Sequence, residues 1–86
     1  MDRGASLKEL RDLAKLFGRS AGDLQTLINN LNSATSSSHG YWKGPKSDQF
    51  RKDWEDARGT FSKWVDTLHD AQKSASTNAD NIERAT

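Results

Sequence analysis

The chain contains no cysteine, so it can hold neither a disulfide framework nor a thiolate metal site, and its compartment stays open on that ground. Proline occurs once, at Pro45, which leaves long stretches free to be helical. No uninterrupted apolar run approaches the roughly 20 residues that a membrane-spanning helix needs. The opening MDRGASLKEL lacks the apolar segment of a cleaved leader, so export, where it occurs, is expected to proceed without a cleaved signal peptide. Charge of one sign is lacking too. Thirteen Lys and Arg face twelve Asp and Glu, interleaved along the chain, which gives a net charge of +1 and no electrostatic footprint for nucleic acid. Hydrophobic residues make up only 33% of 86 positions, against 29% charged, which predicts one small domain with a thin core. Such a chain is marginal alone, and oligomerisation is expected.

What is present is periodicity. Leu7, Leu10, Ala14, Phe17, Ala21, Leu24, Ile28 and Leu31 recur in steps of three and four, the seam of an amphipathic helix. Ser6 and Glu9 have capping-box spacing, which predicts a helix from about residue 7 to 35, where the polar cluster Asn32 to Ser38 begins to compete with the backbone. Gly18 and Gly22 lie inside it. They mark either the close approach of another helix or a weakened, partly exposed stretch. A second series, Phe50, Trp54, Ala57, Phe61, Trp64, Leu68, Ala71, Ala75 and Ile82, predicts a helix over about 45–83, with Gly44 as cap and Pro45 at its first position. The pairs Asp48–Lys52, Arg51–Glu55 and Lys52–Asp56 are expected on its solvated face. The closing STNADNIERAT is polar and should fray into a mobile tail.

The fold class is therefore all-α: an antiparallel two-helix hairpin about 45 to 55 Å long, joined by the turn 36–44. Leu13, Leu16 and Leu27 lie off the first seam, and Val65 widens the second beside Trp64. Two helices cover one stripe each, so a second stripe predicts a partner hairpin completing a four-helix bundle; otherwise these residues only broaden one face. Residues expected to pack the bundle or dimer are Leu10, Phe17, Leu24, Ile28, Leu31, Phe50, Trp54, Phe61, Trp64 and Leu68.

No catalytic, cofactor-binding or metal residues are assigned, and the chain is read as non-enzymatic. His39 and His69 are not paired with carboxylates in any metal-helix or triad spacing. Asp66, His69 and Asp70 share one helical face, which a solvated polar surface explains better than a metal contact. GYWKG has the spacing of neither common nucleotide loop. Trp42 falls on no helical seam and stands in the turn, as a plug over the bundle end or as a recognition element, two roles that can hold together.

Trp42-Lys43-Gly44 between two amphipathic helices, Phe50 further on, and a short helical chain without a leader together resemble the WXG proteins of about a hundred residues. These are the early-secreted-antigen-like proteins of type VII secretion. By chance a chain of this composition holds about 0.2 copies of Trp-x-Gly, so the weight comes from its place in the only turn. The resemblance implies pairing with a related hairpin as homodimer or heterodimer, and the secretion ATPase as a candidate partner. It also implies a composite export signal, to which Trp42 and Gly44 contribute half, and passage from the cytoplasm to the outside. In that family a C-terminal Tyr-x-x-x-Asp/Glu supplies the other half. Here Ala79-Asp80-Asn81-Ile82-Glu83 offers the acid and no tyrosine. A partner chain supplies it, the natural tail is longer, or this member is not itself recognised. The alternative reading is a cytoplasmic helical adaptor or chaperone for a larger toxin-like polypeptide. Direct membrane action is disfavoured, because both seams are needed for packing and the polar faces carry as many acids as bases.

Overall fold

The computed structural model describes residues 3–85; Met1 and Asp2, which open the polar start, and Thr86, which ends the expected tail, lie outside the described residues. Helix α1 runs Arg3–Ser37, a 3-10 turn covers Ser38–Gly40, and α2 runs Pro45–Ala85. The two helices pack antiparallel along their lengths, and no strand occurs among the described residues.

The seam of α1 follows a strict seven-residue step. Leu7, Ala14, Ala21, Ile28 and Thr35 all turn toward α2, with Leu10, Phe17, Leu24 and Asn32 beside them. On α2 the buried line is Ser47, Trp54, Val65, Ala75 and Ala79. Ala21, Ile28, Trp54 and Val65 form the core cluster, against which Leu24, Phe50, Ala57 and Leu68 pack. Large side chains therefore fill the half of the seam nearer the turn. The half nearer the open end is lined by Ala14, Ala75 and Ala79. Gly18 belongs to that open half. A Cβ there would stand 2.5 Å from Gln72 Nε2, whereas Gly22 faces open space. Of the two readings of these glycines, close approach holds for the first and a plain exposed position for the second.

A polar pin fixes the register. The indole N–H of the buried Trp54 donates to Asn32 Oδ1 at 3.2 Å across the hairpin. At the open end Arg11 donates to Asp80 Oδ1 at 3.2 Å and also to Glu83 Oε2. Exposed pairs on single helices add little. Lys8 donates to Asp12 at 2.8 Å, which raises the Lys8 pKa and lowers that of Asp12, with both groups fully in solvent.

Several expectations need correction. The first helix is already running at Arg3, so Ser6 lies within it and cannot be its cap, because a capping residue must leave helical geometry. The hairpin is 63 Å long rather than 45 to 55 Å, as 41 residues at about 1.5 Å each require. Helical geometry continues to Ala85, past the point where fraying was expected; Ile82 is half-buried and Arg11 engages both nearby acids. Val65 and Trp64 exchange roles. Val65 is 6% exposed and Trp64 55%, because the buried line steps from Trp54 to Val65 and leaves Trp64 one position round the helix. Nor is Arg51 paired with Glu55: its guanidinium turns under the turn, and Glu55 accepts instead from Arg58 at 2.8 Å. Lys52 takes no part in the ion pairs found among the described residues.

Replacing Asn32 by leucine leaves the Trp54 indole N–H buried and unpaired, which costs about 1–3 kcal/mol. Urea unfolding followed by helical circular dichroism should show that loss with an unchanged m-value.

Candidate functional site

The turn that carries Trp42 is built by hydrogen bonds onto a few serine and glycine groups. At the end of α1, Ser38 is 6% exposed and sits at the centre. Its carbonyl accepts the Tyr41 amide at 3.1 Å and the Trp42 amide at 2.7 Å, which reverses the chain. Its hydroxyl donates back to the Thr35 carbonyl at 2.6 Å. The serine that reads in sequence as part of a polar helix stop is thus the hub of the turn.

Gly44 then directs the chain into α2. Its φ of +118° lies where side-chain-bearing residues are strained, and it is the only positive-φ residue among those described. The Gly44 carbonyl accepts the Asp48 amide at 3.1 Å, closing the first turn of α2, and the Ser47 hydroxyl at 2.8 Å. Ser47 is fully buried, so this hydroxyl bond satisfies a group that water cannot reach. Pro45 follows at the first helical position, where its missing amide is not needed.

Tyr41 is 77% exposed and Trp42 41%. The Trp42 ring leans on Phe50 with centroids 5.6 Å apart and planes tilted by 40°, and the Arg51 guanidinium lies 6.0 Å from the ring centre. Of the two readings of this tryptophan, neither excludes the other: one side of the indole packs on Phe50 and the rest faces solvent.

The expected packing residues divide into two groups. Ile28 and Trp54 are buried within the hairpin, and Leu10, Phe17, Leu24, Phe50 and Leu68 are half-buried. Leu31, Phe61 and Trp64 stay exposed, as do Leu13, Leu16 and Leu27. On α1 the exposed leucines, together with Leu10, Phe17 and Leu24, lie to one side of the Ala14–Ala21–Ile28 line. On α2 Phe50, Ala57 and Trp64 lie to one side of the Trp54–Val65 line. Because the helices are antiparallel and of the same hand, those two sides fall on a single face of the hairpin. Trp42, resting on Phe50, carries this apolar face onto the turn. Sequence reasoning missed Asn32, Ser38, Ser47 and Arg51. For Ser47 the available signal was its place seven residues before Trp54, which continues the seam of α2 through a polar residue.

Asp66, His69 and Asp70 are all exposed on α2, and no group of three or more metal-ligating side chains gathers among the described residues. None of the described helices is long and apolar enough to cross a membrane.

A two-helix hairpin with a tryptophan and a positive-φ glycine in its reversal, and one uncovered apolar face, defines a class of small helical proteins built around a Trp-x-Gly turn. The profile of the family WXG100, "Proteins of 100 residues with WXG", matches residues 5–85. The chain belongs to this family, and with it to the proteins of type VII secretion type. It is also similar to the protein YukE of Bacillus subtilis (strain 168), 28% identical over 76 residues that cover 88% of this chain and 78% of that protein. No solved structure matches the chain.

Gly44→Ala keeps the Trp-x-Gly turn open in space, since nothing lies within 4 Å of the added methyl, yet forces alanine into positive φ. The expected cost is about 1–3 kcal/mol, read from the shift of the urea midpoint.

Proposed function

We propose that this chain is a non-enzymatic substrate or dimer partner in type VII secretion, which pairs through its apolar face into a four-helix bundle and offers Trp42 and Gly44 as half of an export signal. The observation that carries this reading is the turn itself. A half-exposed tryptophan is held on a fixed polar frame at the closed end of a hairpin, where a solvent-facing connection needs no aromatic residue. Membership of the family supports the secretion context. The uncovered leucines, Phe61 and Trp64 support pairing, because a contiguous apolar face of this kind on a small soluble chain marks an interaction surface.

Pairing has a direct test. The double variant Leu27→Glu, Trp64→Glu places charge on the uncovered face and leaves the hairpin core untouched. Light scattering on the pure chain should give a dimer, and on the double variant a monomer of unchanged helix content. A pure chain that is monomeric, and becomes dimeric only when co-expressed with its genomic neighbour, identifies a heterodimer.

Export is tested in the native host by following the chain in culture filtrate. Trp42→Ala should abolish its appearance outside the cell while its intracellular level and fold persist. Export unchanged by this substitution would remove the signal role. Retention of the unaltered chain together with a long co-purifying polypeptide would favour the adaptor reading.

A further inference from the structure

Arg51 makes more contacts with the turn than any packing role requires. It belongs to α2, nearly two turns past the helix start at Pro45, and its side chain is only 14% exposed. A single terminal nitrogen, Nη2, donates to the Trp42 carbonyl at 2.7 Å and to the Ser38 hydroxyl at 2.9 Å. The other, Nη1, lies 3.7 Å from Asp48 Oδ1. The guanidinium carbon stands 6.0 Å from the Trp42 ring centre, on a ring whose position is shared with Phe50. Nε is buried without a partner. A buried charged group with an unmet donor carries a desolvation cost, and here that cost is set against contacts made chiefly to one residue, Trp42, and to the serine that orients it.

The geometry points to Arg51 as the positioning residue of the recognition turn: it holds the Trp42 carbonyl and indole together, so that the ring is displayed in one orientation. This inference rests on the reading of Trp42 as a recognised group. Two features make the guanidinium specific to the task. Nη2 commits its two protons to acceptors on the two sides of the turn while Nη1 faces Asp48, and the guanidinium carbon stands 6.0 Å from the ring centre; the single nitrogen of an ammonium group cannot hold both of these places at once. Without Arg51 the indole retains only Phe50 as a ring contact, and Phe50 constrains its distance rather than its orientation. The backbone turn itself survives, because the amides of Tyr41 and Trp42 still reach the Ser38 carbonyl.

Nitrogen-15 labelled chain gives three indole N–H signals, from Trp42, Trp54 and Trp64. In Arg51→Ala the Trp42 signal should shift and its heteronuclear NOE should fall toward that of a mobile side chain, while the Trp54 and Trp64 signals keep their positions. Arg51→Lys, which keeps the charge and the aliphatic stem, should restore the melting temperature and leave Trp42 mobile; it also keeps the test open should the alanine variant fail to fold. A Trp42 signal that is unmoved and equally ordered in both variants overturns the inference. So does Arg51→Lys restoring stability and Trp42 order together, since that is the result of a merely structural charge. In the host, both variants should lower export to the level of Trp42→Ala. Normal export of the Arg51 variants alongside loss of Trp42→Ala export overturns the display role. Normal export of Trp42→Ala itself overturns instead the reading of Trp42, and the indole spectra then decide the positioning alone.

Discussion

The register in which α1 meets α2 governs the rest of this molecule. Two helices share one seam, and here the side chains on that seam are small toward the open end and large toward the turn. Alanine and glycine allow the backbones to approach but bury little apolar area, so the hydrophobic return per residue is low over half the contact. The register is therefore secured by directional bonds as well as by packing. Trp54 reaches Asn32 near the turn, and Arg11 reaches Asp80 and Glu83 at the far end. Slipping α2 by one residue would break both and rotate Val65 out of the seam, exposing it where Trp64 now stands.

That register also decides which apolar residues are left over. With the inner positions of each helix committed to the partner helix, Leu13, Leu16, Leu27, Leu31 and Trp64 are left uncovered within one chain, and Phe61, seven residues past Trp54, stays 38% exposed. They gather on one side because the helices are antiparallel, so that the flank of one line and the flank of the other turn the same way. A hairpin that buries one stripe and shows a second leaves apolar area that its own two helices do not cover. The thin seam and the uncovered face thus have a common origin in apolar area that the single chain leaves unburied.

Helix existence, antiparallel order and the place of the reversal were legible in the sequence, because steps of three and four run through both halves and Gly44-Pro45 punctuates them. Fine assignment failed where periodicity alone could not separate the inner seam from the outer face. Trp64 and Val65 are neighbours, and steps of three and four lead to Trp64, whereas the buried line passes from Trp54 to Val65. The polar close of α1 hides a packing role that periodicity does not show. Asn32, Thr35 and Ser38 read as helix-breaking polar residues, yet each lies on the inner side and finds or accepts a hydrogen bond there or lies against the turn. Arg51 was placed on a solvated face by its spacing from Glu55; no local rule announces that a carbonyl nine residues earlier will compete for it. The Trp-x-Gly turn itself was identified, but its frame of Ser38, Ser47 and Arg51 depends on contacts that only the closed hairpin creates.

The length of the hairpin constrains how its ends can act together. Trp42 stands at the closed end, and Asp80 and Glu83 are tied by Arg11 to the start of α1 at the open end of a molecule 63 Å long. Both helices are continuous, so no bend in the chain brings these groups near each other. A recognition surface that combines this turn with acids near a C-terminus therefore has to be assembled from two hairpins, laid so that the closed end of one meets the open end of the other. The apolar face extends along the same axis and reaches the turn through Phe50 and Trp42. On the proposed pairing, a second hairpin laid antiparallel over this face would bring its own open end to Trp42.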